Sequence, residues 1–322
     1  MDTAPTNYNL TFEPDLKKFT FTGVEIISVN CKKSVNVIRM NCAELKIKSC
    51  IVKFGGQIIN SSPKTNEKKE ELEIKLGQKI RGSCTIHLEF EGILNDRLLG
   101  FYRSKYQQNG KTKYLATTQF EAADARRAFP CWDEPEAKAT YDISIIAENK
   151  FTAISNMPVK TKKKIGNKTI YNFQKTPLVS TYLIYLGVGE FEYLTGKAGK
   201  IQIRVVTTKG NTSKGKFSLE LGKKLLTSYE KYFGIKFPLP KLDLIAVPDF
   251  AAGAMENWGA ITFRETILLY DPKTSSTRTK QFIAEVISHE IAHMWFGNLV
   301  TMKWWNDLWL NESFATFMAT KF

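Results

Sequence analysis

Two of the three histidines in this 322-residue chain stand in His289-Glu290-Ile291-Ala292-His293. Residues 282–296 contain no Pro or Gly and read as one helix, on which positions four apart share a face. Both imidazoles therefore point the same way and can share a Zn²⁺ at about 2.0–2.1 Å each. Glu290, one position along, can reach a water activated by the metal rather than the metal itself, which suits a general base. The metal lowers the pKa of that water toward ~7, so the base has a modest task. A catalytic zinc needs a third protein ligand and one open position. Glu312, in Asn311-Glu312-Ser313, is the candidate, with 18 residues between it and His293. Gly297-Asn298 reads as a helix stop, and Asn311 as the cap of a new helix beginning near Glu312. Two antiparallel helices joined this way would bring Glu312 against the histidine pair. The competing reading makes the histidines ordinary helix residues and Glu312 a solvated cap. The scarcity of histidine favours the metal, so one Zn²⁺ per chain on His289, His293 and Glu312 is the expectation.

A second block, Gly253-Ala254-Met255-Glu256-Asn257, lies between stretches 242–247 and 260–263, which read as strands. Gly253 lets another backbone approach closely, and an exposed strand edge can pair with an extended peptide. Glu256 then supplies a charge that can hold a free α-ammonium, a group an internal stretch of peptide lacks. Taken alone, Glu256 reads better as a surface carboxylate beside a turn. The metal motif downstream reverses that preference.

A third block runs from Gln119-Phe120-Glu121-Ala122 through residues 125–135, Ala-Arg-Arg-Ala-Phe-Pro-Cys-Trp-Asp-Glu-Pro. With these three blocks in this order, the chain resembles the aminopeptidase N family of gluzincin zinc peptidases over nearly its whole length. The resemblance implies an α+β fold: an N-terminal β-sheet-rich, saddle-like domain, then a thermolysin-like catalytic domain incomplete at its C-terminus. It implies a zinc-dependent aminopeptidase, acting on peptides with a free N-terminus. Gly253, Ala254, Met255, Glu256 and Asn257 then match the family's exopeptidase signature. Ala254 is implied to offer backbone groups to the substrate, and Met255 to border the first side-chain pocket. Gln119 is implied to line that pocket, and Glu121 to join Glu256 around the substrate amine. Asp307 is implied to orient a zinc ligand, and Ser313 stands where many members carry glycine.

The family also uses a tyrosine, well downstream of its third ligand, to stabilise the oxyanion, and this chain ends ten residues after Glu312. Such a donor is worth about 2.7–4 kcal/mol of barrier, although zinc itself also polarises the carbonyl. The alternative expectation is a non-catalytic zinc-binding or interaction module derived from the family. A related hydrolase of epoxide lipids uses a similar site but needs pocket features that this sequence does not display. The closing stretch 312–319 carries large apolar side chains with little sequence left to cover them. Either the chain is a piece of a longer enzyme, or association covers this face.

The elements that must position these residues follow from periodicity. Leu72, Ile74 and Leu76, then Cys84, Ile86, Leu88 and Phe90, alternate with polar residues, as strands with one buried face do. His87 falls on the polar face, away from the metal. Stretches 19–29, 140–145, 169–173 and 181–188 continue the pattern, giving a β-rich domain over residues 1–195. Gly196-Lys197-Ala198-Gly199 marks the expected boundary, with the catalytic domain over 196–322. There 201–206 reads as a strand and 213–233 as a helix, with Leu221, Leu225, Tyr229 and Tyr232 on one face. Five of the six tryptophans lie between Trp258 and Trp309 and are expected to pack around the site.

A net charge of +14 raises the question of nucleic acid. The basic residues are scattered, and Lys160-Thr161-Lys162-Lys163-Lys164 reads as a solvated turn between strands rather than a binding face. No apolar stretch approaches the ~20 residues of a membrane span, and the N-terminus has no signal-peptide core. Five cysteines, odd in number and without a C-x-x-C pair, fit buried reduced thiols and a cytoplasmic location.

Overall fold

Apolar–polar alternation folds the first part of the chain into long strands, and the computed structural model describes every residue, Met1–Phe322. The strands are β1 (Thr3–Asp15), β2 (Thr20–Asn41), β3 (Lys46–Phe54), β4 (Gln57–Ile59), β5 (Ser61–Asn66) and β6 (Glu71–Ile93). Then come β7 (Gly100–Gln108), β8 (Lys111–Gln119), β9 (Thr140–Glu148), β10 (Thr152–Ser155), β11 (Val159–Ile165), β12 (Lys168–Phe173) and β13 (Leu186–Gly189). The last strands are β14 (Phe191–Ala198), β15 (Ile201–Thr208), β16 (Lys241–Val247), β17 (Ala254–Met255) and β18 (Ala260–Arg264). Four helices punctuate the end of the chain: α1 (Lys216–Phe233), α2 (Glu265–Leu268), α3 (Thr277–Ala292) and α4 (Trp309–Lys321). The protein is α+β, a strand-rich first part followed by a mixed sheet with helices. None of these helices is long and apolar enough to cross a membrane. All five cysteines are free, and four of them are buried.

The chain forms two units. Unit 1 comprises Met1–Arg103, Ala116–Asn149 and Val159–Leu186; unit 2 comprises Ser104–Leu115, Lys150–Pro158 and Gly187–Phe322. A sheet of order β11-β12-β9-β1-β2-β6-β3-β4, with β5 also on β6, dominates unit 1. Its inward side chains meet as an aromatic cluster in which Tyr8 stacks on Tyr141 at 4.9 Å and Phe12 contacts Phe21, Phe90, Phe101 and Phe129. Unit 2 holds the sheet β14-β15-β16-β18-β17, antiparallel at both ends and parallel through β15-β16-β18. The parallel β15–β16 pair needs a crossover, and α1 supplies it. Residues 196–199 end the β14–β15 hairpin, whose turn holds Gly199 at φ 57°.

Three local expectations change. The stretch 181–188 is not one strand: Thr181–Leu183 is a 3-10 turn, and pairing begins only at Leu186. The lysine run is solvated, but as the edge strand β11 rather than a turn. Lysines there discourage another chain from adding to the sheet, and Lys162 lies over the Tyr171 ring at 5.0 Å. Of the tryptophans, Trp258 and Trp295 are core residues, whereas Trp304 and Trp309 are exposed.

Glu25 breaks the alternation of β2. Its neighbour Val24 faces solvent while Glu25 is fully buried, and neither carboxylate oxygen has a hydrogen-bond partner. Burial pushes its pKa well above the usual carboxylate value. With the folded pKa above an unfolded value of about 4.3, the contribution of Glu25 is complete below that pH and is lost as pH rises through the folded pKa. Glu25→Met should therefore raise stability by about 1–3 kcal/mol at neutral pH. Urea denaturation at several pH values checks this, the gap over the wild type narrowing toward acid.

Candidate metal centre

The last turn of α3 carries the two histidines, and a network of neighbours fixes it. Tyr229 of α1 sends its hydroxyl to the Ser288 carbonyl at 3.0 Å, one residue before His289. The indole N–H of Trp295 donates to the Ile235 carbonyl at 3.1 Å. Gly297 then turns the chain at φ 127°, where a Cβ would stand 3.2 Å from Nδ1 of His293. Phe296 stacks on Phe314 of α4 at 3.7 Å between ring centres, which docks the helix bearing Glu312. α4 begins at Trp309, earlier than the expected cap at Asn311, because Leu308 already turns helical and Asn311 is buried against Met302 Sδ at 2.9 Å.

Nε2 of His289 lies 3.0 Å from Nε2 of His293 and 3.2 Å from Oε2 of Glu312, and the third side of this triangle is 3.7 Å. A tetrahedral ion with bonds of about 2.0–2.1 Å separates its ligands by ~3.3 Å. The donor triangle matches that spacing. The outer ring nitrogens are occupied as metal-binding imidazoles require: Nδ1 of His293 faces the Phe296 carbonyl at 2.9 Å, and Nδ1 of His289 faces the Thr316 hydroxyl at 3.3 Å. Asp307, in the turn Trp305–Asp307, bonds neither ring, since those positions are taken.

Charge points the same way. Glu290 lies on α3 between the histidines and is buried, as are Glu256 and His293. Burial opposes a charge on His293, yet the carboxylates of Glu256, Glu312 and Glu290 outweigh it and raise its pKa to about 10. Hydrogen bonds from His289 and His293 hold Glu312 far below the usual carboxylate range. Three carboxylates around two imidazoles call for a cation, and the donor set of two nitrogens and one oxygen suits zinc. The residues fit the metal.

Glu256 sits in a buried loop, residues 256–259, after the short strand β17. β17 is the edge of its sheet and pairs only with β18. A Cβ on Gly253 would meet nothing closer than Ile267 Cδ1 at 3.6 Å, so its face is open to an incoming backbone. Ala254 and Met255 form the strand, with Met255 buried; Asn257 is buried and donates to Thr262 Oγ1 at 3.1 Å. Oε1 of Glu256 has no hydrogen-bond partner. An ion cluster that sequence reading passed over holds the loop. Lys241 sends Nζ to the carbonyls of Ser155 and Gly259 and to Asp243, and Arg204 pairs with Asp243 through both carboxylate oxygens. Its one legible trace was a lysine and an aspartate opening an otherwise apolar strand. Asn156 donates to the Trp258 carbonyl at 3.0 Å. Gly259 is at φ 76°, and a Cβ there would meet Asn156 O and Leu239 Cδ1 at 2.7 Å. Gly259→Ala should cost about 2–4 kcal/mol, read as a fall in the denaturation midpoint.

Gln119 and Glu121 belong to unit 1. Gln119 ends β8, buried with Oε1 unpaired; Glu121 follows, half-buried, with a cis bond to Ala122. The third sequence block builds the turn beneath them: Asp133 accepts from Arg126 at 3.0 Å and from Thr181 at 2.9 Å, and Arg127 pairs with Asp124, Glu44 and Glu70.

Comparison with known proteins adds two family matches. The Peptidase M1 N-terminal domain matches residues 4–183, and the Peptidase family M1 domain matches residues 217–322. Aminopeptidase M1 of Arabidopsis thaliana is 45% identical over 98% of this chain and 37% of its own length. Puromycin-sensitive aminopeptidase of Caenorhabditis elegans is 45% identical over 99% of this chain and 34% of its own length. Alanine/arginine aminopeptidase of Saccharomyces cerevisiae is 43% identical over 98% of this chain and 37% of its own length. The chain spans about a third of the length of these curated relatives.

Proposed function

Because this chain belongs to peptidase family M1, we propose that it holds one zinc ion on His289, His293 and Glu312 and removes N-terminal residues from peptides. The observation that carries this reading is the triangle of donor atoms at 3.0, 3.2 and 3.7 Å, closed by two helices. When bound, the ion supplies Lewis-acid polarisation and makes a solvent molecule acidic near neutral pH. Glu290 takes the proton of the attacking water on its carboxylate and passes it to the nitrogen of the leaving amine. Glu256 holds the α-ammonium through Oε1, which no protein group occupies. The β17 edge and the open face at Gly253 receive the substrate backbone, with Ala254, Met255 and Asn257 beside it. The partners are peptides with a free N-terminus, and the five free cysteines support a cytoplasmic location.

Cleavage of an aminoacyl-arylamide by the zinc-loaded chain, with a chelator control, tests the reading. Chelator-sensitive turnover is the expected result. One bound zinc per chain without any turnover would favour the non-catalytic module.

A further inference from the structure

Asn298 is fully buried and lies five residues beyond His293. Its backbone N–H donates to the His293 carbonyl at 3.1 Å, and its side-chain Nδ2 donates to the Glu256 carbonyl at 2.8 Å. One residue thus spans from the segment leaving the histidine helix to the loop carrying the candidate amine anchor. Asn156 and Lys241 hold the same loop at Trp258 and Gly259. Neither of those two bonds touches the segment bearing the histidines. The Asn298 side chain is thus a direct hydrogen-bonded link between the segment that follows His293 and the backbone of Glu256.

The distance between these two segments matters for a chemical reason. In an N-terminal residue, only the α-carbon separates the amine from the carbonyl carbon to be attacked. An anchor for the amine therefore serves only at one short, fixed distance from the ion that meets the carbonyl. Misplacement by about 1 Å costs on the order of 10²-fold in well-aligned sites. The loop is buried, so a Glu256 carbonyl without its donor would be left unsatisfied and would pull the loop toward another partner. We propose that Asn298 sets the register between metal position and amine anchor, as a positioning residue that determines specificity for free N-termini. This rests on the reading of the site as an aminopeptidase zinc centre.

The test compares two probes on the zinc-loaded full chain by titration calorimetry: leucine hydroxamate, which carries amine and chelating head, and the same hydroxamate without its α-amine. The wild type should prefer the amine. Asn298→Ala should cut that preference about tenfold while zinc affinity and binding of the amine-free probe stay within about twofold. Asn298→Asp is nearly isosteric, keeps the backbone bond to His293 and loses the amide donor; it should behave alike, and it carries the test if the alanine variant does not fold. An unchanged preference overturns the proposal. So does a parallel fall in zinc affinity and in both probes, because Asn298 would then support only the metal helix. A wild type indifferent to the amine, or blind to both probes, refutes the proposed function first and this proposal with it.

Discussion

Glu290→Gln lowers kcat of the zinc-loaded chain by about 10²–10⁴-fold and leaves one zinc bound per chain. Glutamine keeps the volume and the buried position of Glu290 on α3, but its amide cannot accept a proton and return it. The proposed ligands, His289, His293 and Glu312, are untouched, so metal content separates this outcome from a collapsed site. Because Glu290 is one of the carboxylates that favour positive charge on His293, zinc affinity should fall modestly as well. Saturating metal during the assay removes that contribution. Arylamide kinetics together with metal analysis decide the matter: retained turnover would deny Glu290 its role as base.

Glu312→Gln weakens zinc binding by at least about 10²-fold. That bound comes from outer partners of metal ligands, whose loss already costs 10–100-fold. The oxygen of Glu312 lies 3.2 and 3.7 Å from the two ring nitrogens and supplies the one anionic donor of the triangle. Glutamine keeps its length and an oxygen at the same place while removing the charge. The same change should erase most of the thermal stabilisation that added zinc confers, since a ligand stabilises only the state that binds it. Competition with a chelating dye gives the affinity directly. Wild-type affinity in this variant would remove Glu312 from the metal centre.

The local geometry was legible because spacing on a helix is a geometric statement: His289 and His293 had to share a face. The approach of Glu312 required a second helix, and the Gly297 break foretold it. The start of that helix was misread because Leu308, which has no side-chain cap, begins the turn that Asn311 was expected to cap. Alternation located β2 and β6, and the strand reading of β2 hid Glu25 because a buried carboxyl group violates the rule on which the reading rests. The roles of Lys241, Asn156 and Asn298 were invisible for another reason. Each acts by donating to a backbone carbonyl distant in sequence, and no pattern of residue types along a chain announces such a partner.

The interleaving of the two units bears on any attempt to produce the part that carries the candidate metal centre alone. A polypeptide starting at Gly187 would contain every candidate ligand but would lack Ser104–Leu115 and Lys150–Pro158, which unit 2 includes. With the second of these go the Ser155 carbonyl, which receives Lys241, and the Asn156 amide, which holds Trp258. Lys241 would lose one of its acceptors, and the anchor loop a tether. Expression from a single cut is therefore expected to yield protein that coordinates zinc poorly ordered around Glu256. Adding both missing segments in trans, or grafting them through linkers, is the rational repair.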